Sequence, residues 1–397
     1  MNAHDTPARA SGPSSLLQER PAAEPQPYKI HVEQEVLDDL RDRLQETRWA
    51  ALPGEREWAL GTRRASLREL IEYWRSGFDW RRQEAWLNEL PQFKARVGAT
   101  DVHFVHVRGR EAGKMPLLLL HGWPDSFFRF HRVIPLLSGS FDLVVPSLPG
   151  FPLTGPLQGA GPEQPTRQSA EVLWRLMTGV LGYPRFGVVG GDGGSVLAQI
   201  LAIDHPEGIS AIHLTDLGWH VYNTDPSSLS GTEQKYLEGA KKHFLADMAY
   251  AMVHNTRPRS LATALNDSPA GLASWIVDRF HSWSDSGDVD ASFGRDALLT
   301  NIMLYWVTQA IGPSIYNYFA EVRSPSLTPA DRVARPVGLA LFPRDIGGLP
   351  PRRLAERTLN VQRWTEMPRG SHFAAWEEPE LFARDVGEFF QHQAGGR

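Results

Sequence analysis

The 397-residue chain can bury a large core and is long enough for two or three domains. Its composition is that of an ordinary soluble globular protein, and a formal charge of -5 gives no electrostatic basis for binding nucleic acid or an anionic membrane. The absence of cysteine excludes a disulfide framework, a thiolate nucleophile and a thiolate zinc site.

Residues 1–27, rich in Ala, Pro, Ser, Gln and Glu, read as a disordered tail on a cytoplasmic protein. They lack the apolar core of a signal peptide, and no stretch of the chain approaches the ~18 apolar residues of a membrane span. Residues 28–97 read as a helical module. Val36, Leu37, Leu40 and Leu44 fall at helical spacing behind Glu33 and Glu35, and Pro53 and Gly54 break the chain. Ser66 to Trp74 and Asp79 to Leu90 are again helical, the second stopped by Pro91. No titratable cluster marks a site here, so the expected role is packing or bracing a lid.

Residues 98–217 change period. Val102 to Val107 alternates, which sends His103 and His106 to opposite faces of a strand, unable to share a metal. Met115 to Leu120, Asp142 to Pro146, Phe186 to Val189 and Ile209 to Leu214 read as buried strands, with a helix over Thr166 to Leu181. Residues 218–325 show helical periodicity and many aromatic residues but no buried-strand pattern, as an inserted helical cap would. Residues 326–397 return to the sheet at Val337 to Phe342 and near Asn360 to Thr365, closing with a helix over Pro379 to Phe390. The fold class implied is α/β, a mostly parallel sheet with helices on both faces.

The chemistry concentrates where strand Phe186 to Val189 meets Gly190-Gly191-Asp192-Gly193-Gly194. Strand, tight glycine turn and helix form the setting of a nucleophile elbow, with Asp192 rather than serine at the apex. A carboxylate nucleophile forms an ester with an alkyl carbon, as from a strained ether or a carbon–halogen bond. His121-Gly122-Trp123-Pro124 follows another strand end, a turn that can hold a cis Trp123–Pro124 bond. It can aim the Trp123 N–H, with the Gly193 N–H, at a developing oxyanion. Asp345, after Phe342-Pro343-Arg344, and His372, before the last helix, complete the order nucleophile, acid, histidine of an α/β-hydrolase triad. A histidine can take a proton from water near neutral pH, with the acid fixing its tautomer.

Together these residues resemble the microsomal-type epoxide hydrolases of the α/β-hydrolase fold, from about Tyr28 to Phe390. The resemblance rests on His121-Gly122-Trp123-Pro124, Gly190-Gly191-Asp192, Ala264-Leu265-Asn266-Asp267-Ser268-Pro269, Leu299-Thr300-Asn301-Ile302-Met303 and His372-Phe373-Ala374-Ala375-Trp376-Glu377-Glu378-Pro379. It implies an epoxide hydrolase N-terminal domain ending near Val97 and a triad of Asp192, Asp345 and His372. It also implies that two cap tyrosines, Tyr250 and Tyr318, hold the epoxide oxygen, Tyr316 being a near rival for the second. One departure stands out: Gly193 occupies the position where the family usually carries tryptophan, which implies a wider pocket beside the nucleophile.

The expected activity is hydrolysis of an apolar epoxide to a vicinal diol with no cofactor and no metal. The partners implied are a small epoxide and water, with no nucleic acid and no membrane; whether the chain forms a homo-oligomer is open. A haloalkane or haloacid dehalogenase is the alternative enzyme, and a non-catalytic ligand-binding protein on a hydrolase scaffold the alternative class. No Gly-x-Ser-x-Gly occurs for a serine esterase, and Val196 stands where a dinucleotide fingerprint needs its third glycine.

Overall fold

The computed structural model describes residues 24–51, 58–109, 114–157 and 165–395. The expected tail over residues 1–23 and the break at Pro53 and Gly54 lie outside them. The framework is one nine-stranded sheet. Its strands are β1 (Gln26–Pro27), β2 (Gln92–Val97), β3 (Thr100–Val107), β4 (Pro116–Leu120), β5 (Asp142–Pro146), β6 (Phe186–Gly190), β7 (Ile209–Leu214), β8 (Val333–Leu341) and β9 (Leu359–Glu366). They lie in the order β1-β2-β3-β5-β4-β6-β7-β8-β9. Pairing is antiparallel from β1 across to β5 and parallel from β5 to β9. The fold is the α/β-hydrolase fold that the resemblance implies. Leu117 to Leu120 and Val188 to Val189 are fully buried because helices cover both faces of the central strands.

The antiparallel edge differs from the sequence reading, which has only helices between 28 and 97. Residues Gln92 to Val97 form a strand whose burial roughly alternates, and a two-residue loop with Gly98 at φ 60° folds it back onto β3. The charges of Lys94 and Arg96 disguise this strand, because in the antiparallel part of the sheet it needs only one buried face. Gln26 and Pro27, read as the end of the tail, pair with Lys94 and Phe93. The helices Gln34–Gln45, Arg64–Ser76 and Trp80–Leu87 are otherwise as expected, burying Leu40, Leu44, Leu70, Ile71 and Trp74.

Between β7 and β8 the described residues form helices and loops and no strand. The principal helices are Gly231–Asp247, Ala249–Thr256, Pro258–Asp267, Pro269–Ser282, Arg295–Thr308 and Ile311–Arg323. The N-terminal helices bond to this layer: Arg43 reaches Asp267, Thr62 reaches the Ser274 carbonyl and the Tyr73 hydroxyl donates to Asp296. Ser268 and Pro269, from one of the quoted motifs, start a helix together; the Ser268 hydroxyl accepts the Gly271 N–H and Pro269 fills a first-turn position that needs no donor. No helix among the described residues is long and apolar enough to cross a membrane.

Candidate active site

Strand β6 ends at Gly190 and the helix Gly193–Asp204 begins three residues on, leaving Asp192 at φ 57° and ψ -127°. A residue with a side chain is strained there and persists only where its surroundings fix it. The Asp192 N–H donates to Asp216 Oδ2 at 2.7 Å, while the Gly194 and Ser195 N–H groups close the turn onto the carbonyls of Gly191 and Asp192. Glycine is required by space: a Cβ on Gly190 would lie 2.2 Å from the Gly194 carbonyl oxygen, and one on Gly194 would lie 2.1 Å from that of Leu120. Gly193 is different, since a Cβ there would meet nothing closer than Gly122 Cα at 3.9 Å.

The loop after β4 lies against the apex. Trp123 N–H donates to Asp192 Oδ1 at 2.9 Å, the Gly193 N–H helps to lower the carboxylate's pKa, and the Trp123–Pro124 peptide is cis. The Gly122 N–H donates to Asp125, which is paired with buried Arg129; Arg129 in turn donates to the His372 carbonyl at 2.7 Å. Asn301, from the Leu299–Met303 motif, donates to the Pro124 carbonyl and accepts from Ser126, both at 2.9 Å, and the Tyr305 hydroxyl donates to the Asp125 carbonyl. These hydrogen bonds fix the loop against the nucleophile.

His372 stands on the other side of the carboxylate. Its Nδ1 lies 2.8 Å from Asp345 Oδ1, and its Nε2 is 3.5 Å from Asp192 Oδ2, an ion-pair contact rather than a hydrogen bond. Burial works against a charged imidazole, but Asp345 and Asp192 outweigh it and raise the His372 pKa to about 10. Burial likewise opposes the Asp192 charge, yet His372 and the Trp123 and Gly193 N–H groups hold its pKa below the ordinary carboxylate value. The resting pair is therefore aspartate and imidazolium. Trp283 fixes the histidine loop: its carbonyl accepts from Ser371 Oγ and the His372 N–H, and its ring lies between those of His372 and Tyr250. Phe373 and Trp376 of the last motif pack on Phe280, and Glu377 bonds Ser371 and the Asp285 N–H.

The cap supplies Tyr250 and Tyr318, whose rings lie 6.1 Å apart edge to face. Burial, reinforced by the Asp192 charge, pushes both phenols above their ordinary pKa of 10, so both stay protonated at neutral pH. Tyr250 stacks on Trp123 at 5.4 Å and Tyr318 meets the same indole edge-on. Tyr316, the rival for the second position, is 43% exposed and points away.

Trp123, Asp192, Gly193, Tyr250, Tyr318, Asp345 and His372 all line one cavity of about 410 Å³. A larger surface groove, of about 960 Å³, runs outside between the helix Gln34–Gln45 and the cap and contains none of them. Sequence reasoning missed Asp216, which lines the cavity two residues past the end of β7 and accepts from the Asp192 N–H, Ser195 Oγ and the Gly218 N–H. Burial, then the Asp345 charge, raises its pKa to about 6. A lone acid beyond the carboxyl end of a parallel strand was the available signal, since ligand sites gather there. Arg129 and Trp283 gave no such sign. Among the described residues no group of His, Asp and Glu could hold a metal ion.

Residues 25–130 match the family model described as epoxide hydrolase N terminus, and residues 115–298 that of the alpha/beta hydrolase fold. Epoxide hydrolase 1 of Sus scrofa is 32% identical, over 95% of this chain and 91% of its own. Juvenile hormone epoxide hydrolase 1 of Ctenocephalides felis is 30% identical, over 91% of this chain and 84% of its own. The solved structure of Aspergillus niger epoxide hydrolase is 28% identical, with a TM-score of 0.82, covering 95% of this chain and 100% of that one. With its elbow aspartate, its histidine and its capped cavity, the chain belongs to the epoxide hydrolase family.

Proposed function

We propose that the chain hydrolyses an apolar epoxide to a vicinal diol through a covalent ester on Asp192, with Asp345, His372, Tyr250, Tyr318 and the Trp123 and Gly193 N–H groups in the roles that follow. The observation that carries this reading is the unequal setting of the two Asp192 oxygens. Oδ1 is held by the Trp123 N–H at 2.9 Å, whereas Oδ2 faces His372 and the cavity. Oδ2 attacks an epoxide carbon, the carbon–oxygen bond of the ring breaks, and the departing oxygen takes a proton from Tyr250 or Tyr318. A phenol suits this step because an alkoxide is a poor leaving group and a phenol keeps its proton at neutral pH. The His372 imidazolium returns a proton to the phenolate and becomes neutral.

Esterification removes one of the two anions that held His372 charged, so the imidazole can then act as a base. It takes a proton from water as the water oxygen adds to the Asp192 carbonyl carbon. The oxyanion that develops on Oδ1 meets the Trp123 and Gly193 N–H groups. Collapse releases the second hydroxyl of the diol, its proton coming from the added O–H group, and restores the Asp192–His372 pair.

A dehalogenase would need N–H donors converging on a halide beside the nucleophile; Gly193 has no side chain to offer, and two phenols serve an epoxide oxygen better. A non-catalytic binding protein would have no use for the complete set. We place the chain in the cytoplasm, acting on a small epoxide and water without a nucleic acid or membrane partner, on composition and charge. The test is diol formation from styrene oxide by the purified protein. No diol, with chloride release from a chloroalkane instead, would overturn the reading.

A further inference from the structure

The cavity is unusual in its charge. Its lining includes the carboxyls of Asp192, Asp216, Glu321 and Asp345 and no lysine or arginine among the described residues. His372 is the one cationic group facing it, and it is shared between Asp192 and Asp345. Asp216 and Glu321 are answered only by neutral donors. Asp216 accepts from two backbone N–H groups and the Ser195 hydroxyl. Glu321 accepts from the Ser326 N–H and hydroxyl and from the Thr166 hydroxyl, at 2.7–2.8 Å.

The arginines nearby are engaged elsewhere. Arg129 and Arg279, behind the wall, are paired with Asp125 and with Asp247 and Asp278. Arg323, exposed on the cap, lies over Phe319 and donates to the Asn255 and Phe319 carbonyls. Most of the remaining wall is apolar, as at Leu148, Phe151, Leu197, Phe244 and Met248.

We propose that this cavity selects epoxides whose remainder is neutral or cationic and rejects those that carry a carboxylate or phosphate. The inference rests on the epoxide-opening reading and adds the substrate class. An anionic tail entering here would lose its hydration shell, find no lysine or arginine to replace it, and share the cavity with the Asp216 and Glu321 carboxyls, which no cation among the described residues pairs. An amide or ester of the same shape suffers none of this, and an ammonium group gains the attraction.

The test is kcat/KM for diol formation from phenyl glycidyl ether and from its para-carboxamide, para-carboxylate and para-aminomethyl derivatives. It is run at pH 8, above the value of about 6 to which burial and Asp345 raise Asp216. The carboxamide and the aminomethyl compound should be hydrolysed about as well as the parent, and the carboxylate at least ~100-fold less well, about 2.7 kcal/mol of discrimination. Glu321→Gln, which removes one of the opposing charges while leaving the triad intact, should narrow that gap about tenfold. Carboxylate turnover within about threefold of the carboxamide would overturn the inference while leaving the activity standing. Failure of the parent ether together with all of its derivatives would overturn the functional reading, and this inference with it.

Discussion

Asp216 Oδ2 accepts the backbone N–H of Asp192 at 2.7 Å, so a second carboxyl lies directly behind the nucleophile and holds it in its strained conformation. Its pKa of about 6, against an ordinary 3.8, means that the fold favours its protonated form. The resulting stabilisation is complete below pH 3.8 and is lost as the pH rises through about 6. Urea unfolding of wild type and Asp216→Asn should therefore diverge with pH. Between pH 4 and pH 7 the difference moves in the variant's favour by up to about 3 kcal/mol, at about 1.4 kcal/mol per pK unit. Whatever the amide loses at both pH values cancels, and a difference that stays constant contradicts the assignment.

His372→Gln removes the base of the second step while leaving the attacking carboxylate in place. The expected outcome is a burst of epoxide consumption close to one equivalent of enzyme, followed by turnover slower than wild type by ~10²–10⁴-fold. The burst is read by rapid quench and the ester by the mass of the Asp192 peptide. Steady turnover with no burst contradicts the role.

Tyr250→Phe and Tyr318→Phe each remove one phenol from the cap pair. Either change should slow ester formation by ~10²-fold, and the double variant should slow it further without preventing folding. Single-turnover quench kinetics with styrene oxide measure this. Tyr316→Phe, on the exposed side of the same helix, should leave the rate unchanged.

Gly193 is the one elbow glycine with room for a side chain. Gly193→Trp should fill the space beside Asp192 and lower kcat/KM for trans-stilbene oxide more than for styrene oxide, by over ~10-fold. If the order of preference is unchanged, Gly193 does not set the width of the pocket.

The parallel half of the fold was legible because Leu117 to Leu120 and Phe186 to Val189 are continuous apolar runs buried on both faces. The antiparallel strand Gln92–Val97 was not, since Lys94 and Arg96 leave little contrast between its faces. Within the site, Asp192 and His372 could be read from glycine spacing and chain order, which are local signals. Asp216 and Trp283 act through the folding together of distant segments; Asp216 is 24 residues from the N–H it accepts, and Trp283 is 88 residues from the Ser371 hydroxyl it holds. Asn301 stood in a quoted motif, but its work became visible only when the cap helix Arg295–Thr308 met the Pro124 carbonyl.

A single turnover of wild-type enzyme in excess over styrene oxide, in water enriched in heavy oxygen, addresses the central step most directly. With attack by Asp192 and hydrolysis at its carbonyl carbon, the heavy atom appears in the Asp192 carboxylate and the diol carries only ordinary oxygen. Heavy oxygen in the first-turnover diol, with an unlabelled Asp192 peptide, would mean that water opens the ring itself.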